Sequence, residues 1–273
     1  YLNPRYGAQQ AQFTLEPSAE TDGRFIAAAG AGLTMMTIAP ELPGSVESIA
    51  RMVAAGAVVA LGHSACSADD YRAARRAGAS HITHLFNAMQ APRVSAGEEY
   101  GGVHDIGIEE LCVVDDGVTV DIVMDRECAH VGYELIEATL RCKPAGSIAL
   151  ISDAMAAGGQ PAGSHELPDG RVVTTADDSD VARLQSGLLC GSTMSMSDAV
   201  RNAVERYGVD PADSLRMATE VPARILGVSD TVGHLRTGAR ADLAVLDGAL
   251  GLLATVVGGE FVYSTDLDQK EDV

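Results

Sequence analysis

Short apolar runs of β character alternate with amphipathic helical stretches along this chain, and a polar residue stands where one run after another ends. "LTMMTIAPE" ends at Glu41, "VVALGH" at His63, "HITH" at His84 and "IALISD" at Asp153. Between the runs, "SVESIARMVAAGA" sets Val46, Ile49, Met52 and Val53 on one helical face, and "SADDYRAARRAGA" carries Ser67 as N-cap and Gly78 as stop. "AHVGYELIEATLRCK", "SMSDAVRNAVERYG" (capped by Ser195 or Ser197) and "PADSLRMATEVPARILG" predict further helices. "LCVVDDGVTVDIVMD" predicts two β pieces around Asp115, Asp116 and Gly117, and Gly158 to Gly187 a polar excursion with short β pieces. Strand, helix, strand in this order implies a parallel sheet with right-handed crossovers. In a (β/α) barrel the C-terminal strand ends build the active site, so polar residues distant in sequence converge there.

The composition excludes several alternatives. A net charge of −19 lacks the basic field that nucleic acids and anionic membranes require. Lysine occurs only at 143 and 270, so an anionic substrate must be held by a few local donors. No apolar run reaches the roughly 18 residues of a membrane span. Five cysteines, an odd number without a CxxC spacing, read as reduced thiols of a cytoplasmic protein. With 47% apolar residues the chain can fill a core. The last forty residues turn β-rich with Gly-punctuated turns, so the expected division is a partial (β/α) barrel over 1–228 and a small β appendage over 229–273.

A lone histidine at a strand end is more often structural than a ligand. Three polar residues at equivalent strand ends are a different matter. His63, His84 and Asp153 together form a donor set suited to zinc or iron-group ions. His81, three residues before His84 and deeper in the strand, reads as structural.

"GHSACS", "THLFNAM", "SDAM", "LLCGSTMSM" and "PARILG…GHLRTGARADLAVLD", in that order, resemble the N-acetylglucosamine-6-phosphate deacetylases of the amidohydrolase superfamily. The opening "YLNPRYGAQ" is similar to that family's loop after "EGP". The resemblance runs over nearly the whole chain. It implies an α/β fold of the (β/α)8 TIM-barrel kind with strands four to eight present, and a metal-dependent deacetylase in which a bound water attacks the amide carbonyl. On this pattern His63 and His84 hold a divalent metal, zinc or iron. Asp153 is the general base that later protonates the departing amine. Asn87, Ala88, His130 and the turn Leu189, Cys190, Gly191 face an amino sugar substrate. The family also implies a homodimer.

The chain departs from the family at three places. The family's HxH strand and metal-ligand glutamate fall before Tyr1, so the expectation is a piece of a longer chain, or half of a protein whose remainder is a separate chain, poorly soluble or inactive alone because its sheet edges are open and its metal site under-liganded. Gln9 stands where the family has a histidine near the substrate carbonyl; glutamine can donate a hydrogen bond but carries no imidazolium charge. The family's phosphate-binding "HHREPG" is replaced by "APRVSAGEEYGG", where Arg93 is the only arginine and Glu98 and Glu99 repel a phosphate. Two rivals follow: an amidohydrolase acting on an unphosphorylated N-acyl substrate, and a non-catalytic homologue.

Overall fold

The computed structural model describes residues 1–32, 34–90 and 106–265. Five strands, β1 (Met35–Ile38), β2 (Val58–Leu61), β3 (His81–Ile82), β4 (Thr119–Val123) and β5 (Ile148–Ile151), form one sheet in the order 1-2-3-4-5. All four pairings are parallel. Helices α1 (Ala19–Ala29), α2 (Ser45–Ala54), α3 (Ala68–Arg76), α4 (Ile108–Val114) and α5 (Tyr133–Cys142) precede or join them. This is the alternation read from the sequence.

The strands "VVAL" and "IALI" are apolar on both faces because both are covered, as parallel sheets with crossover helices require. Ile38, Val59, Leu61, Ile82, Val120, Ile122, Ile148 and Leu150 are buried in one core with Ile49 and Met52 of α2, Tyr71 of α3 and Ile136 of α5. Val46 is not on that face: it is 37% exposed. Ser67 caps α3 through a box with Asp70, and Gly78 follows at a positive φ of 108°.

Buried charge anchors the helices. Asp22 of α1, wholly buried, accepts from Tyr1 Oη at 2.7 Å, Ser48 Oγ at 2.8 Å and Arg51 Nε at 2.6 Å, tying the chain start and α2 together. The Lys143 ammonium, buried as well, donates to the carbonyls of Cys112 and Asp115 at 3.0 Å each, at the end of α4 where helix carbonyls lack partners.

One stretch differs from expectation, and in another the expected short β pieces assemble into a sheet. "LCVVDDG" begins in a helix, α4, not a strand; Gly107 N–H donates to the Glu110 carboxylate at 2.9 Å, a helix-start contact that overrides the β-branched residues. The polar excursion is a four-stranded antiparallel sheet, β6 (Gly163–Glu166), β7 (Val172–Thr175), β8 (Val181–Leu184) and β9 (Leu189–Ser192), in sequential order. Leu189, Cys190 and Gly191 therefore lie in a strand rather than a turn.

Helices α6 (Met196–Glu205, capped by Ser195 with Asp198), α7 (Pro211–Ala218) and α8 (Glu220–Ile225) pack behind β5. Strands β10 (Leu243–Leu246), β11 (Leu252–Val257) and β12 (Glu260–Ser264) make a third, antiparallel sheet. Among the described residues no helix is long and apolar enough to cross a membrane.

Candidate active site

His63, His84 and Asp153 are each the second residue beyond a parallel strand, β2, β3 and β5. All three take a left-handed backbone, with φ of 48°, 32° and 48°. Non-glycine residues adopt this conformation at a cost of about 1–3 kcal/mol and keep it where surrounding structure enforces it. The shared kink turns three side chains off the sheet's C-terminal edge and into a cavity of about 330 Å³.

Of the residues expected at the site, Gln9, His63, His84, Asn87, Asp153, Leu189, Cys190 and Gly191 line that cavity. Ala88 does not. Its carbonyl accepts the Ser64 N–H at 3.2 Å and so joins the loops after β2 and β3. Arg93 lies outside the described residues, as do Glu98 and Glu99. A larger hollow of about 690 Å³ lies by Pro144–Ser147, before β5 at the sheet's other end, and holds none of these groups.

The two imidazoles are set by their backbone partners. His63 Nδ1 meets the Tyr6 carbonyl at 2.8 Å and His84 Nδ1 the Asn87 carbonyl at 2.9 Å. A carbonyl only accepts, so both protons sit on Nδ1 and both Nε2 lone pairs point inward, 2.9 Å apart. Burial, aided by His84, lowers the His63 pKa to about 4, so at neutral pH the His63 ring is neutral. Two nitrogens bound at about 2.0–2.1 Å to one ion stand roughly 2.9 Å apart at a right angle and about 3.3 Å apart in a tetrahedron. The pair therefore fits two adjacent positions around a divalent cation, with Nδ1 contacts that fix tautomer and ring orientation. Among the described residues no third histidine, cysteine or carboxylate completes the set.

Asp153 faces the same space. Burial raises its carboxyl pKa, outweighing the pull of His84 and His130. His130 stands behind it: its side chain has no exposure, and its Nε2, buried without a partner, lies 3.9 Å from Asp153 Oδ2. The Asp125 carboxylate holds His130 through Nδ1 at 3.1 Å and the backbone N–H at 3.0 Å. In this arrangement His130 adjoins the carboxylate rather than the cavity wall, which differs from the direct substrate contact expected of it.

Gln9 also has a second task. Its Nε2 donates to the carbonyls of Asn3 at 2.8 Å and Tyr6 at 2.7 Å, and Oε1 is buried without a partner. Both amide hydrogens are spent on the loop that holds His63, so the donor foreseen for a substrate carbonyl is turned away from it. Two supporting carboxylates escaped the sequence reading. Glu41, in sequence no more than a strand-end residue, accepts from Asn3 Nδ2 at 2.8 Å, Ser64 Oγ at 2.6 Å and Ala65 N at 2.8 Å. Asp121 lies inside "VTVDIV", where one aspartate looks like ordinary strand alternation.

The amidohydrolase family model matches residues 8–266. The chain is 33% identical over 244 residues to the N-acetylgalactosamine-6-phosphate deacetylase of Escherichia coli O157:H7, an alignment covering 89% of this chain and 60% of that protein. It is 34% identical over 238 residues to the N-acetylglucosamine-6-phosphate deacetylase of Homo sapiens, covering 85% and 54% respectively. A mutant N-acetyl-D-glucosamine-6-phosphate deacetylase from Mycobacterium smegmatis, solved in complex with N-acetyl-D-glucosamine-6-phosphate, matches at 34% identity with a TM-score of 0.81, over 94% of this chain and 65% of that one. The chain thus spans 54–65% of the length of these proteins.

Proposed function

This chain belongs to the amidohydrolase family, and on that premise we propose that it forms the substrate-cleaving part of a deacetylase converting N-acetylglucosamine-6-phosphate to glucosamine-6-phosphate and acetate. The observation that carries the reading is the pair of facing Nε2 atoms of His63 and His84 beside the Asp153 carboxylate in one cavity. Similarity to deacetylases of both 6-phosphorylated amino sugars supports the substrate class.

A divalent cation held by His63 and His84, zinc or iron in this reading, would polarise the amide carbonyl and acidify the attacking water. Asp153 accepts the proton of that water and returns it to the nitrogen leaving as an amine. Its raised pKa suits both halves of the task, because a base whose conjugate acid is nearer neutrality also serves as the acid. Asn87, Leu189, Cys190 and Gly191 shape the cavity around the sugar. No arginine or lysine is among the described residues of that lining, and Arg93, the one arginine of "APRVSAGEEYGG", would take the phosphate.

The same reading treats β1–β5 as strands four to eight of a (β/α)8 barrel, residues 1–228 as the catalytic portion and 229–273 as a β appendage. The sequential parallel order and the separate β10–β12 sheet support it. It also carries a homodimer and a cytoplasmic setting, the latter supported by five free cysteines.

Acetate release by the protein bearing this sequence, loaded with zinc or iron(II), is the test. N-acetylglucosamine-6-phosphate should be cleaved far faster than its unphosphorylated counterpart, with the galactosamine isomer as third substrate. Preference for the plain sugar would move the reading to the unphosphorylated class. No acetate from any of the three would leave a non-catalytic homologue.

A further inference from the structure

His84 stands on a backbone that a neighbouring strand holds in place. Asp121 on β4 is buried, and its Oδ1 accepts the His84 N–H. Its own carbonyl accepts the next amide, Leu85 N–H, at 2.9 Å. Its Oδ2 lies 3.0 Å from His81 Nε2, and His81 Nδ1 meets the Thr119 hydroxyl at 2.8 Å. One residue therefore grips two successive amides just past β3, and His81, in contact with the other oxygen, holds the orientation of its carboxylate. We infer that Asp121 is a positioning residue: it clamps the left-handed backbone of His84 and thereby aims His84 Nε2 at His63.

This inference rests on reading His84 as a metal ligand. The physical grounds are independent of that reading. A φ of 32° is a conformation an L-residue holds where its surroundings enforce it, and His84 lies beyond β3, which ends at Ile82. A backbone N–H given to a carboxylate makes one of the stronger hydrogen bonds available. Release of the amide would let the peptide rotate, and the imidazole on it would leave the alignment in which the two Nε2 atoms lie 2.9 Å apart. His81 fits the same scheme as the prop of the clamp.

Zinc affinity of the full chain, measured by competition titration and paired with the visible spectrum of its cobalt form, tests the clamp. Asp121→Leu, similar in size and without an acceptor, should weaken zinc binding at least about tenfold and change the cobalt spectrum. Asp121→Asn should restore most of the affinity: its carbonyl oxygen can take the His84 N–H, and its NH₂ can face His81 once that ring moves its proton to Nδ1. Ile122→Ala, the next residue on β4 and fully buried, should lower the melting temperature and leave zinc binding unchanged.

Unaltered affinity in Asp121→Leu overturns the clamp, and so does an equal loss in Ile122→Ala. Equal losses in the leucine and asparagine variants would assign the effect to charge instead, and overturn it too. Should the leucine variant not fold, amide exchange in the parent decides. The His84 and Leu85 amides should exchange as slowly as those of β4, and fast exchange refutes the clamp. Parent protein that binds no zinc while these amides stay protected would refute the ligand reading alone.

Discussion

His63 and His84 meet edge to face, ring centroids 4.6 Å apart, with their Nε2 atoms 2.9 Å from one another. Each ring is locked by its other nitrogen, to the carbonyl of Tyr6 and of Asn87. Two lone pairs aimed at each other repel, and a shared cation converts that repulsion into binding. Replacing either histidine by alanine should weaken zinc affinity by more than about 100-fold, beyond the usual effect of an outer-shell change. Calorimetric titration checks this, and undiminished binding in both variants would remove the pair from the metal site.

Asp153→Asn keeps shape and removes the basic oxygen. Folding and metal content should stay as in the parent while turnover falls by at least about two decades, the lower range for loss of a positioned general base. Acetate release under saturating substrate is the measurement. Parent-like turnover would refute the catalytic role.

Gly7 is required where it stands. Its φ is 105°, and a Cβ there would lie 2.5 Å from His63 Nδ1 and 2.6 Å from Gln9 Oε1. Gly7→Ala should cost about 1–3 kcal/mol from backbone strain and also displace His63, with loss of metal affinity. Gly208→Ala is the control, since Gly208 has a φ of 69° and open space around it. It should lower the melting temperature but leave the site intact. Equal metal affinity in both variants would contradict the close approach.

Acid should release one defined contact. Burial lifts the Asp115 carboxyl, but hydrogen bonds from Arg75, Tyr71 and Gly117 outweigh it, so its pKa lies below the ordinary carboxylate value. A folded pKa below the unfolded one stabilises the fold at pH above the unfolded value, about 3.9, and that stabilisation is lost as pH falls through the folded value. Asp115→Asn should therefore melt lower than the parent at pH 7, and the gap should close as the pH drops below about 4. Melting curves across that range decide it; a gap constant with pH would detach the effect from this ionisation.

What the sequence determined by itself was local and periodic. Apolar runs of strand length, helical faces such as Ile49 and Met52, and the Ser67 cap follow from the covalent order alone, because each needs only neighbours within a turn or a strand. The placement of His63, His84 and Asp153 at strand ends was legible for the same reason. Tertiary structure decided the rest. "LCVV" became helix although its β-branched residues suggest strand, and the short β pieces of the polar excursion joined with Leu189–Ser192 into one sheet, a pairing their spacing does not specify. Asp121 reaches His84 across 37 positions, His130 was drawn behind Asp153 by Asp125, and Gln9 turned its amide toward Asn3 and Tyr6. These contacts depend on which strands and loops are neighbours, a relation set by sheet order and burial rather than by residue spacing.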